Sequence, residues 1–430
     1  MSLEAYEQLM MRDNRCGYCK VVPHAMTKSI EHEWVCPSAK RFNFHAFSAG
    51  GRTIVALSLL RGRLDYTDGL LDIVYKCQMD GGCDVSCKVN RDLEPYEVML
   101  ELRTKLVEDG QVLPEHMMHI DGLRKEDNMM LGKKTDRGKW AEGLDVKILT
   151  REKADVLYHA GCRTCYDESH WPTARRAVTL LRDAGIDVGI MGNEETCCGG
   201  RAYEWGYQAE LKKYAEHNTE AWKSAGVKQV VTSCACGYQA FKVLYDKIGL
   251  RQEGIEVLHI SQYIERLLQD GKLKLKNKVP MKLTYHDPCH LGRLAEPWVH
   301  WEGKEVKILG QFISYDPPKE FRRGAKGVYE TPRNIIKALP GASLVEMDRI
   351  KEYALCCGAG GGVKEAYGDF ALWTADARLR EAKSTGAEAI ATACPHCAHN
   401  LEDAIKEYGH DLKVCNIVDL VDEALQVRRR

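Results

Sequence analysis

Two copies of one cysteine-marked pattern occupy residues 151 to 430. In the first, the β-rich run Val156-Leu157-Tyr158 leads to Cys162 and an amphipathic stretch near Ala174 to Ala184. A second run, Ile186 to Ile190, precedes Cys197-Cys198-Gly199-Gly200. A helical segment from Tyr207 to Ala225 follows, then the run Gln229 to Thr232, Cys234 and Cys236, a helix from Tyr238, the run Ile255 to Ile260 and a helix through Leu268. The second copy repeats this order with Leu283 to Tyr285, Cys289, a helix near Pro332 to Ala338, Ser343 to Met347, Cys356-Cys357-Gly358, Ile390 to Thr392, Cys394 and Cys397, Leu412 to Ile417 and a helix through Leu425. Cys198 and Cys357 are 159 positions apart, Cys234 and Cys394 160, and Ile255 and Leu412 157. Cys162 and Cys289 are only 127 apart, so the second copy holds an insertion, assigned to Trp298 to Gly327. Strands alternating with helices predict α/β units with mostly parallel sheets, whose ligands gather at the carboxyl ends of strands. The cysteines fall there.

Each copy thus offers five thiols: Cys162, Cys197, Cys198, Cys234 and Cys236, then Cys289, Cys356, Cys357, Cys394 and Cys397. A tetrahedral zinc ion or a cubane cluster takes four protein ligands, so a fifth thiolate points to a polynuclear centre of unusual ligand count. The glycine after each vicinal pair permits positive φ and close approach to a bulky ligand. Buried structural thiols are the bland alternative. It suits Cys415, opposite Leu258 in the repeat, better than it suits the five-thiol sets; Cys165 stands between the two readings.

Ahead of the repeats, residues 1–125 hold two further cysteine groups and read as a small α-helical domain. Residues 126–150, polar and without strong periodicity, read as a linker. Domains are then expected at 151–275 and 276–430. The run from Cys77 to Cys87 has the spacing C-x2-C-x2-C-x3-C, with Asp80 at the second ligand position, followed by Cys83 and Cys87. A carboxylate can ligate iron, as a harder ligand than thiolate. Cys16 and Cys19 begin an interrupted run that resumes at Cys36-Pro37. In ferredoxin runs the fourth cysteine serves the other cluster, which groups Cys36, Cys77, Asp80 and Cys83, and leaves Cys16, Cys19 and Cys87 one ligand short. His24 or His32 could complete that set, although a plain surface role is the commoner one for a lone histidine. Zinc on Cys16, Cys19 and two other ligands is the competing assignment, because C-x2-C is shared with zinc ribbons.

The remaining features narrow the functional class. Eighteen cysteines without an export signal argue for metal or redox chemistry in a reducing compartment, so a cytoplasmic location is expected. Hydrophobic residues at 44% and charged residues at 29% fit a soluble globular protein. The net charge of −1 gives no basic field for nucleic acid. No run reaches the roughly 18 apolar residues of a membrane span. There is no nicotinamide, flavin or haem fingerprint, so electrons are expected from a partner. Gly358 to Gly362 lacks the Lys-Ser/Thr of a phosphate loop and is expected to wrap the cluster. His286, His290 and His396 are placed to hydrogen-bond sulfur or to protonate a leaving thiolate.

These cysteine sets resemble the Cys-Cys-Gly domains of the heterodisulfide reductase family, and the likeness spans nearly the whole chain. The arrangement is similar to the fused catalytic subunit with a ferredoxin-type N-terminus, and to the iron–sulfur subunits of glycolate and lactate oxidases. The resemblance implies cubane 4Fe–4S clusters in the N-terminal domain and noncubane 4Fe–4S clusters on the five-cysteine sets. It also implies flavoprotein or iron–sulfur partner subunits in a hetero-oligomer, and peripheral attachment to a membrane through such a partner. A substrate disulfide would bind at Cys289, Cys356, Cys357, Cys394 and Cys397, be cleaved homolytically and leave as two thiols. The second copy matches the family pattern fully. In the first, the family cysteine would fall at Gly237, whereas Cys236 lies one place earlier, so either Cys236 substitutes through a local backbone change or the site holds an altered cluster. The alternative is a relay subunit of an anaerobic reductase or a flavoprotein–quinone complex, with no small substrate of its own.

Overall fold

The computed structural model describes residues 2–89, 91–250, 254–310 and 312–425. The N-terminal part is helical as expected, with its main helices at Pro37–Phe42, Ala49–Leu60, Asp68–Tyr75, Gly82–Cys87, Pro95–Glu108 and Pro114–Glu126. Their starts follow from local chemistry. Ser48 and Thr67 cap two of them by accepting the amides of Gly51 and Leu70, each cap being worth about 1 kcal/mol. Proline opens three others, where its missing N–H costs nothing.

The strands are β1 (Lys147–Ile148), β2 (Val156–His159), β3 (Val188–Ile190), β4 (Gln229–Thr232), β5 (Glu256–His259), β6 (Lys282–His286), β7 (Lys304–Ile308), β8 (Phe312–Asp316), β9 (Ser343–Leu344), β10 (Ala389–Thr392) and β11 (Lys413–Asn416). They form two parallel sheets, ordered β1-β3-β2-β4-β5 and β9-β6-β10-β11. Without β1 the two orders are the same, so the cysteine duplication is a duplication of topology. β2, β4, β6 and β10 are buried on both faces or nearly so, which explains their continuous apolar runs.

The two sheet domains meet through helices in a two-fold pattern. Trp171–Asp183 of the first packs on Ile417–Ala424 of the second, and Glu330–Ala338 of the second on Ile260–Gln269 of the first. The hydroxyl of Thr173 donates to Asp419 at 2.7 Å, and that of Thr331 donates to Glu265 at 2.8 Å, one contact on each side. One apolar core runs through both domains and includes Cys356, Cys357, Cys394 and Cys397.

One segment differs from expectation, and the insertion takes a defined form. Residues 126–150 are packed rather than free: Asn128, Met129, Arg137 and Trp140 are buried, and β1 extends the first sheet. The polar character that suggested a linker comes from side chains such as Arg137, whose partners lie far along the chain. The insertion forms the antiparallel ribbon β7–β8 and then returns Arg322 to the N-terminal domain, where it pairs with Asp84, with Glu94 at 2.9 Å and with Glu97 at 3.2 Å. Among the described residues no helix is long and apolar enough to cross a membrane.

Candidate metal centres

All eighteen cysteines are free thiols, and most of them gather in three places. Cys36, Cys77, Asp80 and Cys83 line one cavity in the N-terminal domain, together with Arg52, Tyr96 and Met99. Cys162, Cys197, Cys198, Cys234 and Cys236 line a second, and Cys289, Cys356, Cys357, Cys394 and Cys397 a third. These are the sets grouped from spacing. Cys16, Cys19 and Cys87 share no described cavity. Cys16 is exposed, whereas Cys19 and Cys87 are buried on two elements that pack together. His32 is engaged elsewhere, 2.8 Å from Asp348, and His24 is exposed, with its ring edge-on to Tyr18.

Both Cys-Cys-Gly turns are built alike. The amides of Gly199 and Gly358 donate to Cys197 Sγ and Cys356 Sγ at 3.4 and 3.3 Å. Both glycines have positive φ, and a Cβ on either would press against a helix backbone, 2.9 Å from Leu211 Cα or 2.3 Å from Ala371 O. The positive φ expected at these glycines is present, and the missing Cβ also lets each turn pack closely on a helix.

Asp80 is the odd donor of the first cavity. Its Oδ1 accepts from the Gly82 amide at 2.8 Å and lies 3.4 Å from the Arg293 guanidinium, while its Oδ2 is buried without a hydrogen-bond partner. Burial pushes its carboxyl up to about 6 against the pull of Arg293. An orphaned carboxylate oxygen among three thiols fits a metal ligand, because an unpaired buried acceptor is otherwise costly. Burial also raises the Cys36 thiol to about 12 and holds the Cys83 thiol well above its ordinary value, so a cation entering this site displaces protons.

The three cavities are neighbours. Arg293, four residues after Cys289, donates from Nε to Asp80 O at 2.5 Å and from Nη1 to Glu352 O and Ala354 O at 2.9 and 2.7 Å, just ahead of Cys356. Gly360 and Gly361 lie flat on the backbone of the N-terminal ligand run: a Cβ on either would stand 2.4 Å from Gln78 O or Cys77 O respectively. Part of the glycine-rich loop thus faces its own thiols, since Gly360 lines the third cavity, and part docks the N-terminal domain. On the far side, Arg201, Cys236 and His396 line the second and third cavities together.

The displaced cysteine is explained by that shared wall. At the 160-residue offset Cys236 corresponds to His396, and Gly237 to Cys397. Cys236 is therefore no shifted copy of Cys397: it occupies the wall position and lies within 4.8 Å of Cys234 and of Cys394 across the domain boundary. The thiols of Cys234, Cys236 and Cys397 overcome the effect of burial on Cys394 and hold it well below the usual thiol range, as Cys289 and Cys357 do for Cys356.

Arg137, Glu195, Glu204 and Arg378, which spacing did not reveal, surround the sites together with Cys165, His286 and His290. Arg137 lies 3.6 Å from Cys162 Sγ and 2.9 Å from Glu195, whose carboxylate also takes the amides of Ala160 and Gly161. Cys165 donates to Glu195 at 3.5 Å and lines no described cavity. His290 Nδ1 lies 3.2 Å from Cys289 Sγ, and its Nε2 lies 2.6 Å from Glu204 of the first repeated domain. Burial lowers the His290 pKa, but Glu204 more than offsets this, and the ring is held above its ordinary value. His286, within 4.8 Å of Cys357 and Cys397, takes the Arg378 Nε–H on Nδ1 at 3.2 Å and leaves Nε2 unbonded.

A family model described as a cysteine-rich domain matches residues 156–240 and 320–402, the second match beginning inside the insertion and after Cys289. The chain is 32% identical to a subunit of the dihydromethanophenazine:CoB–CoM heterodisulfide reductase of Methanosarcina mazei, over 97% of this chain and 95% of that protein. It is 26% identical to the EtfAB:quinone oxidoreductase of Syntrophomonas wolfei, over 83% of this chain and 47% of the relative. It is 27% identical to a Bacillus subtilis protein named probable iron–sulfur-binding oxidoreductase, over 84% and 49% respectively.

Proposed function

The chain belongs to the heterodisulfide reductase family, as an iron–sulfur electron-transfer oxidoreductase subunit, and on that premise we propose that it reduces a disulfide to two thiols at the cavity of Cys289, Cys356, Cys357, Cys394 and Cys397 in its second repeated domain. The observation that carries this reading is the contiguity of the three cavities. Electrons entering at Cys36, Cys77, Asp80 and Cys83 have the third cavity next to them, across Arg293 and the Gly360–Gly361 contact. The second cavity lies one wall further on, across Cys236 and His396.

Cubane 4Fe–4S clusters in the N-terminal domain and noncubane ones on the two five-thiol sets would supply the one-electron steps, with Asp80 and the named cysteines as their ligands. The chain's own residues do the rest. Reduction consumes two electrons and two protons per disulfide, and His290, held protonatable by Glu204 beside Cys289, can return a proton. Arg201 has Nη2 tied to Glu365 at 2.5 Å and Nη1 buried without a partner, so it can bind an anionic group of the substrate at the shared wall. The first site, with a cysteine at the wall position, would carry an altered cluster. We place the protein in the cytoplasm, in a complex with a flavoprotein or another iron–sulfur subunit, in line with relatives named as a reductase subunit and as an EtfAB:quinone oxidoreductase.

Anaerobic turnover of a small disulfide with an artificial reductant tests the reading. Cys357→Ala is expected to abolish thiol release and any disulfide-dependent EPR signal, whereas Cys198→Ala leaves part of the signal. Full activity of Cys357→Ala with loss in Cys198→Ala would reverse the assignment of the two sites. No turnover by the wild type, with its clusters intact, would make the chain a relay.

A further inference from the structure

Away from the three cavities, side chains that no motif singled out converge where the repeated domains meet. Asp167 and His170 follow the short helix Cys162–Tyr166 of the first domain. His399 lies on the helix Pro395–Tyr408 of the second, the helix that also carries Cys397. One carboxylate oxygen and one ring nitrogen from each histidine fall within 4.8 Å of one another.

What distinguishes this cluster from an ordinary polar contact is which atoms are left over. Asp167 Oδ1 accepts from the Ser169 amide at 3.2 Å and from its hydroxyl at 2.6 Å. Oδ2 lies 3.0 Å from His399 Nδ1 and 3.7 Å from His170 Nε2, yet it is buried and makes no hydrogen bond. His170 Nε2 is also buried and unbonded, in a residue only 8% exposed. A nitrogen 3.0 Å from a carboxylate oxygen without hydrogen-bond alignment is what donors aimed at a common third point produce. The other nitrogen of His399, Nε2, faces Asp403 Oδ2 at 3.3 Å, and Lys364 holds Asp403 at 2.6 Å. Asp403 is placed to accept the Nε2–H, the tautomer that leaves the Nδ1 lone pair free and the carboxylate–histidine pairing that accompanies metal-bound imidazoles.

We propose that Asp167, His170 and His399 form a site for one zinc ion, separate from the thiol cavities, that clamps the helix bearing Cys397 onto the first domain. Two imidazoles and one carboxylate are borderline ligands suited to zinc, whereas calcium and magnesium prefer all-oxygen shells and clusters prefer thiolates. Arg163, 3.7 Å from Asp167 Oδ2, offsets the carboxylate charge, so affinity rests on the imidazoles and not on a negative field.

The test uses anaerobically purified holoprotein, given Zn2+, passed over a chelating resin and analysed for zinc and iron together. One zinc per chain is expected, with nitrogen and oxygen and no sulfur in its first shell by X-ray absorption. Asp167→Asn and His399→Gln should each lose that zinc while iron content and cluster EPR stay unchanged. Asp403→Asn should weaken binding by about tenfold or more. A wild type that retains no zinc, variants that keep it, or sulfur in the zinc shell would each overturn the proposal. The last would move the ion to cysteines, such as Cys16 and Cys19.

Discussion

Replacing Arg103 with Met should uncouple the three parts of the molecule. This guanidinium is fully buried and lies at their common junction. Nη1 donates to Glu204 O at 3.0 Å in the first repeated domain and to Gly361 O at 2.7 Å in the second. Nη2 donates to Cys77 O at 2.9 Å, and more weakly to Val74 O and Tyr75 O at 3.2 and 3.3 Å. Three of the five bonds are short and charge-assisted, each worth about 1.5–3 kcal/mol net. Replacing the guanidinium strands those neutral carbonyls without leaving an unpaired charge, so a loss of about 4 kcal/mol is expected, the worth of about two such bonds. Lysine has donors but no planar fork and should restore less than half of the loss. The assay is anaerobic denaturant unfolding followed by both visible absorbance and far-ultraviolet circular dichroism, with reduction of the repeated-domain clusters timed by freeze-quench EPR. The Met variant should unfold earlier and pass electrons more slowly from the N-terminal site. Stability within about 1 kcal/mol of wild type and an unchanged transfer rate would refute the view of Arg103 as the joint.

Three further perturbations have defined outcomes. Asp80→Cys should make the N-terminal cluster hardier toward oxygen and change its potential, and unchanged EPR spectra and redox titration would show that Asp80 is no ligand. Glu381→Gln should cost about 3–5 kcal/mol near neutral pH, because the Glu381 carboxylate sits between Arg349 and Arg378 at 2.9 and 2.8 Å with essentially no exposure. Burial alone would raise the Glu381 pKa, but the two arginines pull it down to about 2. Its contribution, about 3 kcal/mol, is therefore complete above pH ~5 and disappears as the pH falls through 4 toward 2. The gap between wild type and variant should narrow between pH 5 and 3, and a constant gap would contradict the assignment. Arg322→Ala should release the insertion from Asp84, Glu94 and Glu97, seen as faster amide exchange around residues 319–324; unchanged exchange would mean that other contacts hold it.

The repeat and its two thiol sets were legible because the ligand positions recur at fixed offsets on strand ends, which a parallel sheet brings to one edge, whereas the N-terminal set was legible from the ferredoxin spacing and its crossed fourth ligand. The role of Cys236 was legible in principle: the 160-residue offset pairs it with His396, but matching cysteine to cysteine hid that. Arg103, Arg137 and Arg293 were not legible. Each is a single basic residue whose partners are carbonyls, thiols or carboxylates far along the chain, and neither periodicity nor spacing reports such contacts. For the same reason residues 126–150 read as a linker, although Arg137 and Trp140 are buried. Asp167, His170 and His399 escaped because the first two precede and the third follows a domain boundary that only folding closes.

The count of iron atoms per chain tests the central claim most directly. Protein isolated without oxygen, with iron and acid-labile sulfide measured against protein and the clusters resolved by Mössbauer spectroscopy, should contain at least eight irons, about twelve with the three cavities filled and about sixteen if Cys16, Cys19 and Cys87 hold a fourth cluster, at about four per cluster. A count near four, or a colourless protein holding zinc in place of iron, would contradict it.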